Sequence, residues 1–232
     1  MVHRKAAVLI SGCHLQADLS GKNWETIAFG GNLPTLEGRV VKGLEQVLEF
    51  DAEKIILGTG ASFRNSVIES LYTKRKALGR FESISKALGL SLEQKLFLKT
   101  KMQEAVLDKK SLNTKDEVRA AYQYCLENGI SKLIVVSSSW HTFRAHKDVL
   151  DFRRELYLAG HKSLPDIIAV TAHDGTEDVA ISEPPHRGDR PKGPIHKLVR
   201  RADSLGRKQG TGDMFCAEFE TFLKSQEEKL KG

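Results

Sequence analysis

Four short runs of apolar, mostly β-branched residues recur along this chain, and each run stops at small or polar residues. A run that is apolar at consecutive positions is typical of a strand buried on both faces, in a parallel sheet covered by helices on each side. A fifth, less apolar run predicts a strand near an edge of the sheet or a continuation of the preceding helix. The five runs are AAVLISG (6–12), KIILGTG (54–60), KLIVVSSS (132–139), DIIAVTAH (166–173) and, as the weaker one, QEAVLDKKS (103–111).

Helical patterns alternate with these runs, because apolar residues recur every three or four positions. Residues 61–102, rich in Lys and Leu, predict two or three further helices inserted after the second strand, beside the ligand-binding end of the sheet. We therefore expect a three-layer α/β Rossmann-like fold with a mainly parallel sheet of about five strands. The three clearest helical patterns are TLEGRVVKGLEQVLEF (35–50), TKDEVRAAYQYCLENG (114–129) and HTFRAHKDVLDFRREL (141–156).

The chain of 232 residues is predicted to form one domain, 1–232. Its last part changes character: SEPPHRGDRPKGP, at the start of 182–232, predicts a basic loop, and the rest predicts a helical C-terminal extension. No pattern in the sequence indicates a particular oligomeric state.

Composition excludes several classes of protein. The three cysteines form no CxxC pair, which indicates a reduced, cytoplasmic chain. No stretch approaches the roughly 20 apolar residues of a membrane span, so we expect no membrane partner. No cluster of carboxylates indicates an obligatory metal. The net charge of +6, from 36 basic and 30 acidic residues, permits an anionic ligand without requiring one.

The ends of the predicted strands form the candidate site, because ligands of open parallel sheets bind beyond the carboxyl ends of the strands. Gly12, Gly58 and Gly60 leave room for a ligand and are expected to form the floor. Ser138 ends the third long run. His141 and Arg144 follow it three residues apart, so they share one face of the next helix.

Both polar segments at these ends also fit ordinary helix capping. One of the serines 137–139 is expected to cap the helix that follows. In NTKDE, Asn113 or Thr114 can cap a helix while Glu117 closes a capping box. Capping alone explains NTKDE as well as a ligand site does.

The stretch SLNTKDEVRAAYQYCLENGISKLIVVSSSWHTFRA resembles the SanA/YdcF/ElyC-type family of Rossmann-like proteins. That family shows S-x-N-T-x-x-N opening a helix, then an apolar strand and T-S-x-[YF]-H-x-x-R-A. The sequence departs from the family in three places, since Glu117 stands for the usual Asn, Trp140 for Tyr or Phe, and GTG at 58–60 for the SGG of the second strand. The matching residues are Ser111, Asn113, Thr114, Ser138, His141, Arg144 and Ala145, together with Gly12, Arg39, Gly58 and Gly60.

The resemblance covers roughly residues 6–173 and implies that Arg39, Asn113, Thr114, His141 and Arg144 converge on one pocket. It also implies S-adenosylmethionine as a candidate cofactor, because some members of the family have been linked to it. The family does not imply a reaction. Its membrane-anchored members carry an N-terminal apolar span, which this sequence lacks.

Three functions remain open. The first is an enzyme that binds a small anionic or nucleotide-like ligand and hydrolyses or transfers a phosphoryl group or similar ester. His141 would then be the general acid or base, Glu117 would orient it or carry a proton, and Arg39 and Arg144 would hold negative charge. The second is a non-catalytic nucleotide or S-adenosylmethionine binding protein. The third is a nucleic-acid-associated protein that uses the basic tract after residue 186, although a solvated helix face explains that tract at least as well.

A thiol nucleophile is a further alternative, with Cys13 attacking and His14 as its base. Consecutive residues of an extended strand point to opposite faces, which disfavours this pair unless the strand has already ended.

Overall fold

The structure is a computed structural model, and it describes residues 5–13, 15, 18–19, 22–31, 34–35, 37–58 and 62–174. Within these residues the strands have 2 to 7 residues and the helices have 6 to 20. The strands are β1 Ala6–Ile10, β2 Asp18–Leu19, β3 Lys22–Asn23, β4 Lys54–Leu57, β5 Phe63–Arg64, β6 Val67–Ile68, β7 Val106–Leu107, β8 Lys132–Ser138 and β9 Asp166–Ala172. The helices are α1 Trp24–Phe29, α2 Arg39–Glu49, α3 Glu69–Gly79, α4 Phe81–Ala87, α5 Leu92–Gln103, α6 Thr114–Glu127 and α7 Ser139–Leu158.

Five of these strands form one parallel sheet in the order β7-β4-β1-β8-β9. Two short antiparallel pairs, β2 with β3 and β5 with β6, lie outside it. The sheet and the helices on both of its faces confirm the predicted three-layer, Rossmann-like α/β fold.

Both faces of the central strand are buried, which explains why its sequence does not alternate with polar residues. Ala6, Val8 and Ile10 pack in the core formed with α1, α2 and the helices α3–α5. Ala7 and Leu9 pack in the second core, which α6 and α7 cover. Each face of the sheet therefore has its own apolar layer.

The path of the chain places the site at the centre of the sheet. From β1 the chain moves outward to β4 and β7, with its connecting helices on the first face. It then returns to the other side of β1 for β8 and β9, with α6 and α7 on the second face. The switch point between β1 and β8 is where open α/β sheets bind ligands.

Several local predictions are confirmed. The weak run at 103–111 contains β7, which is the edge strand beside β4. The helical pattern 114–129 closes on a glycine, which predicts a C-cap, and α6 does end in a Schellman motif at Gly129, whose φ is +64°. The amide of Ile130 donates to the carbonyl oxygen of Cys125. The inserted segment is helical, but its first residues form the hairpin β5–β6, which the Lys- and Leu-rich composition did not indicate.

Within the described part of the chain, no helix combines the length and the apolar character needed to cross a membrane. The predicted basic loop and C-terminal helices at 182–232 lie outside the described residues.

Candidate functional site

The strands β1, β4 and β8 end side by side, so the residues that follow them meet at one edge of the sheet. Ile10 pairs in register with Leu57 on one side and with Val136 on the other. The amide of Gly58 donates to the carbonyl oxygen of Ile10 at 2.9 Å, which continues the ladder past the end of β4. Gly12 and Gly58 therefore lie at this edge as predicted, and Gly60 lies outside the described residues.

Two glutamates bind consecutive amides of the loop that follows β1. The amide of Gly12 donates to Glu117 Oε1 at 3.1 Å, and the amide of Cys13 donates to Glu69 Oε1 at 2.7 Å. Glu117 comes from the first turn of α6, and Glu69 is the first residue of α3. The end of the central strand is thus held between two buried carboxyl groups from opposite faces of the sheet.

Glu69 has the richer set of hydrogen-bond donors. Besides the amide of Cys13, it accepts from the hydroxyl of Ser62 at 2.8 Å and from Trp24 Nε1 at 3.4 Å. Burial raises the pKa of Glu69 to about 7, and the bonds from Cys13 and Ser62 oppose that rise because they favour the ionised form. Glu69 was not among the predicted site residues, because an acidic residue at a helix start is an ordinary feature.

Glu117 does not close a capping box. Asn113 caps α6 by accepting from the amide of Asp116, while the Glu117 side chain turns into the protein and reaches Gly12. Burial is the main cause that raises the pKa of Glu117 to about 8, and the negative charges of Glu69 and Asp108 raise it further. The predicted N-cap Asn113 is therefore confirmed, whereas the predicted capping box is wrong for Glu117, because its carboxyl pairs with the buried amide of Gly12 instead.

Arg39 begins α2 and is buried under the loop that follows β1. Its Nη1 donates to the carbonyl oxygens of Gly12 at 2.5 Å and Ser11 at 3.3 Å, and its Nε donates to Ser138 Oγ at 2.7 Å. The carboxylate of Asp174, also buried, lies 4.0 Å from Nε. Arg39 therefore joins the ends of β1 and β8 to the residue that follows β9.

Ser138 occupies the N-cap position of α7, but its side chain does not cap the helix. Its hydroxyl instead accepts from Arg39 and donates to Asp174, and it makes no hydrogen bond to the first turn of α7. The expected capping by the 137–139 serines is therefore wrong for Ser138. The Ser138 hydroxyl bridges the buried ion pair between Arg39 and Asp174.

His141 lies in a second cluster beside the first. Its Nδ1 is 2.6 Å from Ser137 Oγ, and its Nε2 is 2.7 Å from Thr114 Oγ1 and 2.9 Å from Arg144 Nη2. Arg144 Nη2 also donates to Thr114 Oγ1 at 2.6 Å. His141 is buried in this cluster, since only 4% of it is exposed.

The hydrogen bonds select one form of His141. A guanidinium group can only donate, so Nε2 is an acceptor and does not carry a proton. In the neutral ring the proton is then on Nδ1, where Ser137 Oγ can accept it.

A small cavity opens among the strand ends on the first face of the sheet, with room for about one water molecule. Of the predicted site residues, Gly12, Arg39 and Gly58 line it, and Glu117 contacts Gly12 and Gly58 from behind. Asn113, Thr114, His141 and Arg144 are not among its lining residues, so one pocket does not contain the whole predicted set. Its polar lining includes Ser11, Cys13, Glu69 and Thr73.

The inserted segment forms one wall of this cavity, as predicted, through Glu69 and Thr73 of α3. Burial raises the pKa of the Cys13 thiol well above its ordinary value, and the charges of Glu69, Asp174 and Glu117 add to the rise, against Arg39, which lowers it. Because a thiolate is the reactive form of cysteine, this environment opposes the alternative of a Cys13 nucleophile.

Replacement of Gly58 by Ala is expected to destabilise the protein by about 1–3 kcal/mol, since overpacking forces buried neighbours to move. A Cβ at this position would lie 1.8 Å from Glu117 Oε1 and 2.7 Å from the amide nitrogen of Gly12. Denaturant unfolding measures the change. Gly79→Ala is the matched control, because a Cβ there meets nothing within 4 Å. Equal stability of the two variants would contradict the close packing of Glu117 against Gly58.

Among the described residues, no group of three or more His, Cys, Asp or Glu side chains is arranged to hold a metal ion. The fold and these strand ends define a Rossmann-like α/β protein with a small cavity beside the ends of β1 and β4. Comparison with protein-family models, with curated proteins and with solved structures finds no match to this chain.

Proposed function

We propose that this protein is an enzyme that acts on a small anionic or nucleotide-like ligand bound at the carboxyl ends of β1, β4 and β8. The observation that carries the proposal is the pair of buried glutamates, Glu69 and Glu117, which bind the consecutive amides of Cys13 and Gly12. Buried carboxyl groups with pKa values near neutrality are typical of sites that transfer protons.

The two carboxyl groups divide the acid and base roles. Glu69 lines the cavity, and its donors favour the carboxylate, so it accepts a proton from the ligand or from an attacking water. Glu117, whose pKa is about 8, holds a proton at neutral pH. Its proton keeps the negative charge between the two groups low, which helps Glu69 to ionise.

The anionic part of the ligand is assigned to the neighbouring cluster. Arg144 is partly exposed and lies beside Thr114, at the start of α6, where backbone amides of a helix end also favour negative charge. S-adenosylmethionine or a nucleotide are candidates through the family resemblance. Hydrolysis or transfer at a phosphoryl or similar ester remains the proposed reaction class.

His141 has a supporting role in this proposal. Its Nε2 accepts from Arg144 and faces Thr114 Oγ1, so it fixes the positions of both groups. If the ligand displaces Arg144 from Nε2, the ring becomes available as the general base that the sequence predicts.

A binding protein without catalysis is the second candidate. It is favoured by the engagement of both His141 nitrogens within the protein and by the small size of the cavity. The basic tract that suggests nucleic-acid binding lies outside the described residues, and no contact in the described part favours that role.

Thermal-shift measurements with nucleotides, sugar phosphates and S-adenosylmethionine separate the two candidates. A ligand that is turned over supports the enzyme, and a ligand that stabilises the protein without turnover supports the binding protein. Inorganic phosphate and S-adenosylhomocysteine belong in the same panel as product-like controls.

For the enzyme, we expect turnover to be highest between about pH 7 and pH 8. Below that range Glu69 is protonated, and above it Glu117 loses its proton. Glu69→Gln is expected to lower kcat by about 10²–10⁴-fold, the usual effect of losing a general acid or base. Glu117→Gln is expected to remove the fall in kcat above pH 8.

The matched control is Glu127→Gln, an exposed carboxyl at the last turn of α6, which should leave the pH profile unchanged. A Glu69→Gln variant that is folded and fully active would contradict the proposed role of the glutamate pair.

A further inference from the structure

Ser11 is the one residue of the cavity wall whose buried hydroxyl has no hydrogen-bond partner among the described residues. The residue is 4% exposed, and its amide continues the ladder by donating to the carbonyl oxygen of Val136 at 3.0 Å. Leaving a buried hydroxyl unpaired is costly, and buried polar groups almost always have a partner. A ligand that enters the cavity would supply that partner.

The other polar groups around Ser11 are already engaged with each other. The amides of Gly12 and Cys13, which could hold an anion, donate to the two glutamates. Arg39 donates to the carbonyl oxygens of Ser11 and Gly12 and to Ser138. What the described wall offers a ligand is therefore the hydroxyls of Ser11 and Thr73, beside a Glu69 carboxyl that already accepts three hydrogen bonds.

Size and charge limit what can enter. The cavity has room for about one water molecule, so it fits a single small group and excludes a tetrahedral phosphate. Arg39 and Glu69 both line the cavity, so their opposite charges offset each other for an entering ion. A Glu69 carboxylate would accept a hydrogen bond from an uncharged or cationic donor.

We propose that Ser11 is a ligand-binding residue and that the end of the ligand that enters the cavity carries a hydroxyl or an amino group. Ser11 accepts from or donates to this group, and Glu69 accepts its proton. The inference rests on the proposed function, because it names the group of the substrate on which Glu69 acts. Any phosphate or carboxylate of the same ligand lies outside the cavity, toward Arg144.

The test follows the amides of Gly12 and Cys13 by NMR in the full-length, ¹⁵N-labelled protein during titration with ribose, ethanolamine and inorganic phosphate. We expect ribose or ethanolamine to shift both signals, and phosphate to leave them unchanged. Ser11→Ala should weaken the binding of the active probe at least tenfold.

Ser85→Ala is the matched control, since Ser85 is equally buried but donates to the carbonyl oxygen of Phe81 at 2.7 Å. This control should keep the affinity for the probe. Phosphate shifts at Gly12 and Cys13, no response to either donor probe, or unchanged probe affinity in Ser11→Ala would each overturn the inference.

The two proposals fail separately. Loss of turnover in Glu69→Gln together with unchanged affinity in Ser11→Ala contradicts the role of Ser11 and leaves the proposed enzyme standing. Tight, Ser11-dependent binding of a donor probe without any turnover contradicts the enzyme and supports a binding site for the same chemical group.

Discussion

Glu117→Gln is expected to remove much of the loss of stability that the wild-type protein shows as the pH rises toward 8. An unfolded chain releases the Glu117 proton near pH 4.5, whereas the native protein holds it to about pH 8. Between these values the native state binds more protons than the unfolded state, so the free energy of unfolding falls as the pH rises. The slope is up to about 1.4 kcal/mol per pH unit for this one group.

Glu69 adds a similar fall that ends near pH 7, because its pKa is about 7. The diagnostic window is therefore pH 7–8, where Glu117 alone of the two still exchanges its proton. Glutamine has the shape of a protonated glutamate and can still accept from the amide of Gly12, so wild type and variant should have similar stability near pH 5.

Urea unfolding at several pH values measures this difference. The free energies of unfolding of wild type and Glu117→Gln should diverge steadily above pH 5, with the variant the more stable by several kcal/mol near pH 8. Glu127→Gln, on the exposed end of the same helix, should follow the wild-type curve. Parallel curves for wild type and Glu117→Gln would show that Glu117 ionises at its ordinary pH.

Arg39→Ala is expected to cost about 3–5 kcal/mol of stability, the effect of removing one partner of a buried ion pair. The side chains of Arg39 and Asp174 are 1% and 0% exposed, so the variant would leave the Asp174 carboxylate buried beside Ser138 without its cation. It would also leave the carbonyl oxygens of Ser11 and Gly12 without the donor that Arg39 provides.

Chemical denaturation measures the loss, and two further variants identify its cause. Arg39→Ala combined with Asp174→Asn should recover part of the stability, because the unpaired charge is gone. Arg80→Ala should cost less, at about 0–1 kcal/mol, because Arg80 pairs with Glu25 where both side chains contact solvent. A loss in Arg39→Ala no larger than in Arg80→Ala would contradict the burial of the ion pair.

Local sequence patterns were sufficient to predict the class of fold and most of the long strands and helices. The run AAVLISG predicts β1 although its apolar residues do not alternate with polar ones. The structure explains this pattern, because Val8 packs in the apolar layer on one face of the sheet and Leu9 in the layer on the other face. The C-capping glycine at 129 and the edge strand β7 were also predictable, because each depends on its own few residues. The hairpin β5–β6 was missed, since its two-residue strands are too short to show a period.

The positions of the strand-end residues were predictable, but their hydrogen-bond partners were not. Gly12, Gly58 and Ser138 follow strands, and parallel strands end at one edge, so their proximity follows from the topology. The direction in which a side chain turns depends on which polar group it meets when the helices pack. The sequence predicts that Glu117 closes a capping box at the start of α6. In the structure its carboxyl accepts from the amide of Gly12, 105 residues away in the sequence, because this buried amide has to be paired.

The sequence by itself therefore determined the strands, the helices, the parallel sheet and the edge where polar residues gather, because apolar periodicity and turn chemistry are local properties. Only the tertiary structure decided that Glu69 joins Glu117 at the loop after β1, and that Arg39 pairs with Asp174. It also placed His141 in a cluster apart from the cavity. These contacts join residues 27–135 positions apart, and the desolvation that shifts the glutamate pKa values arises only when the two helical layers close over the sheet.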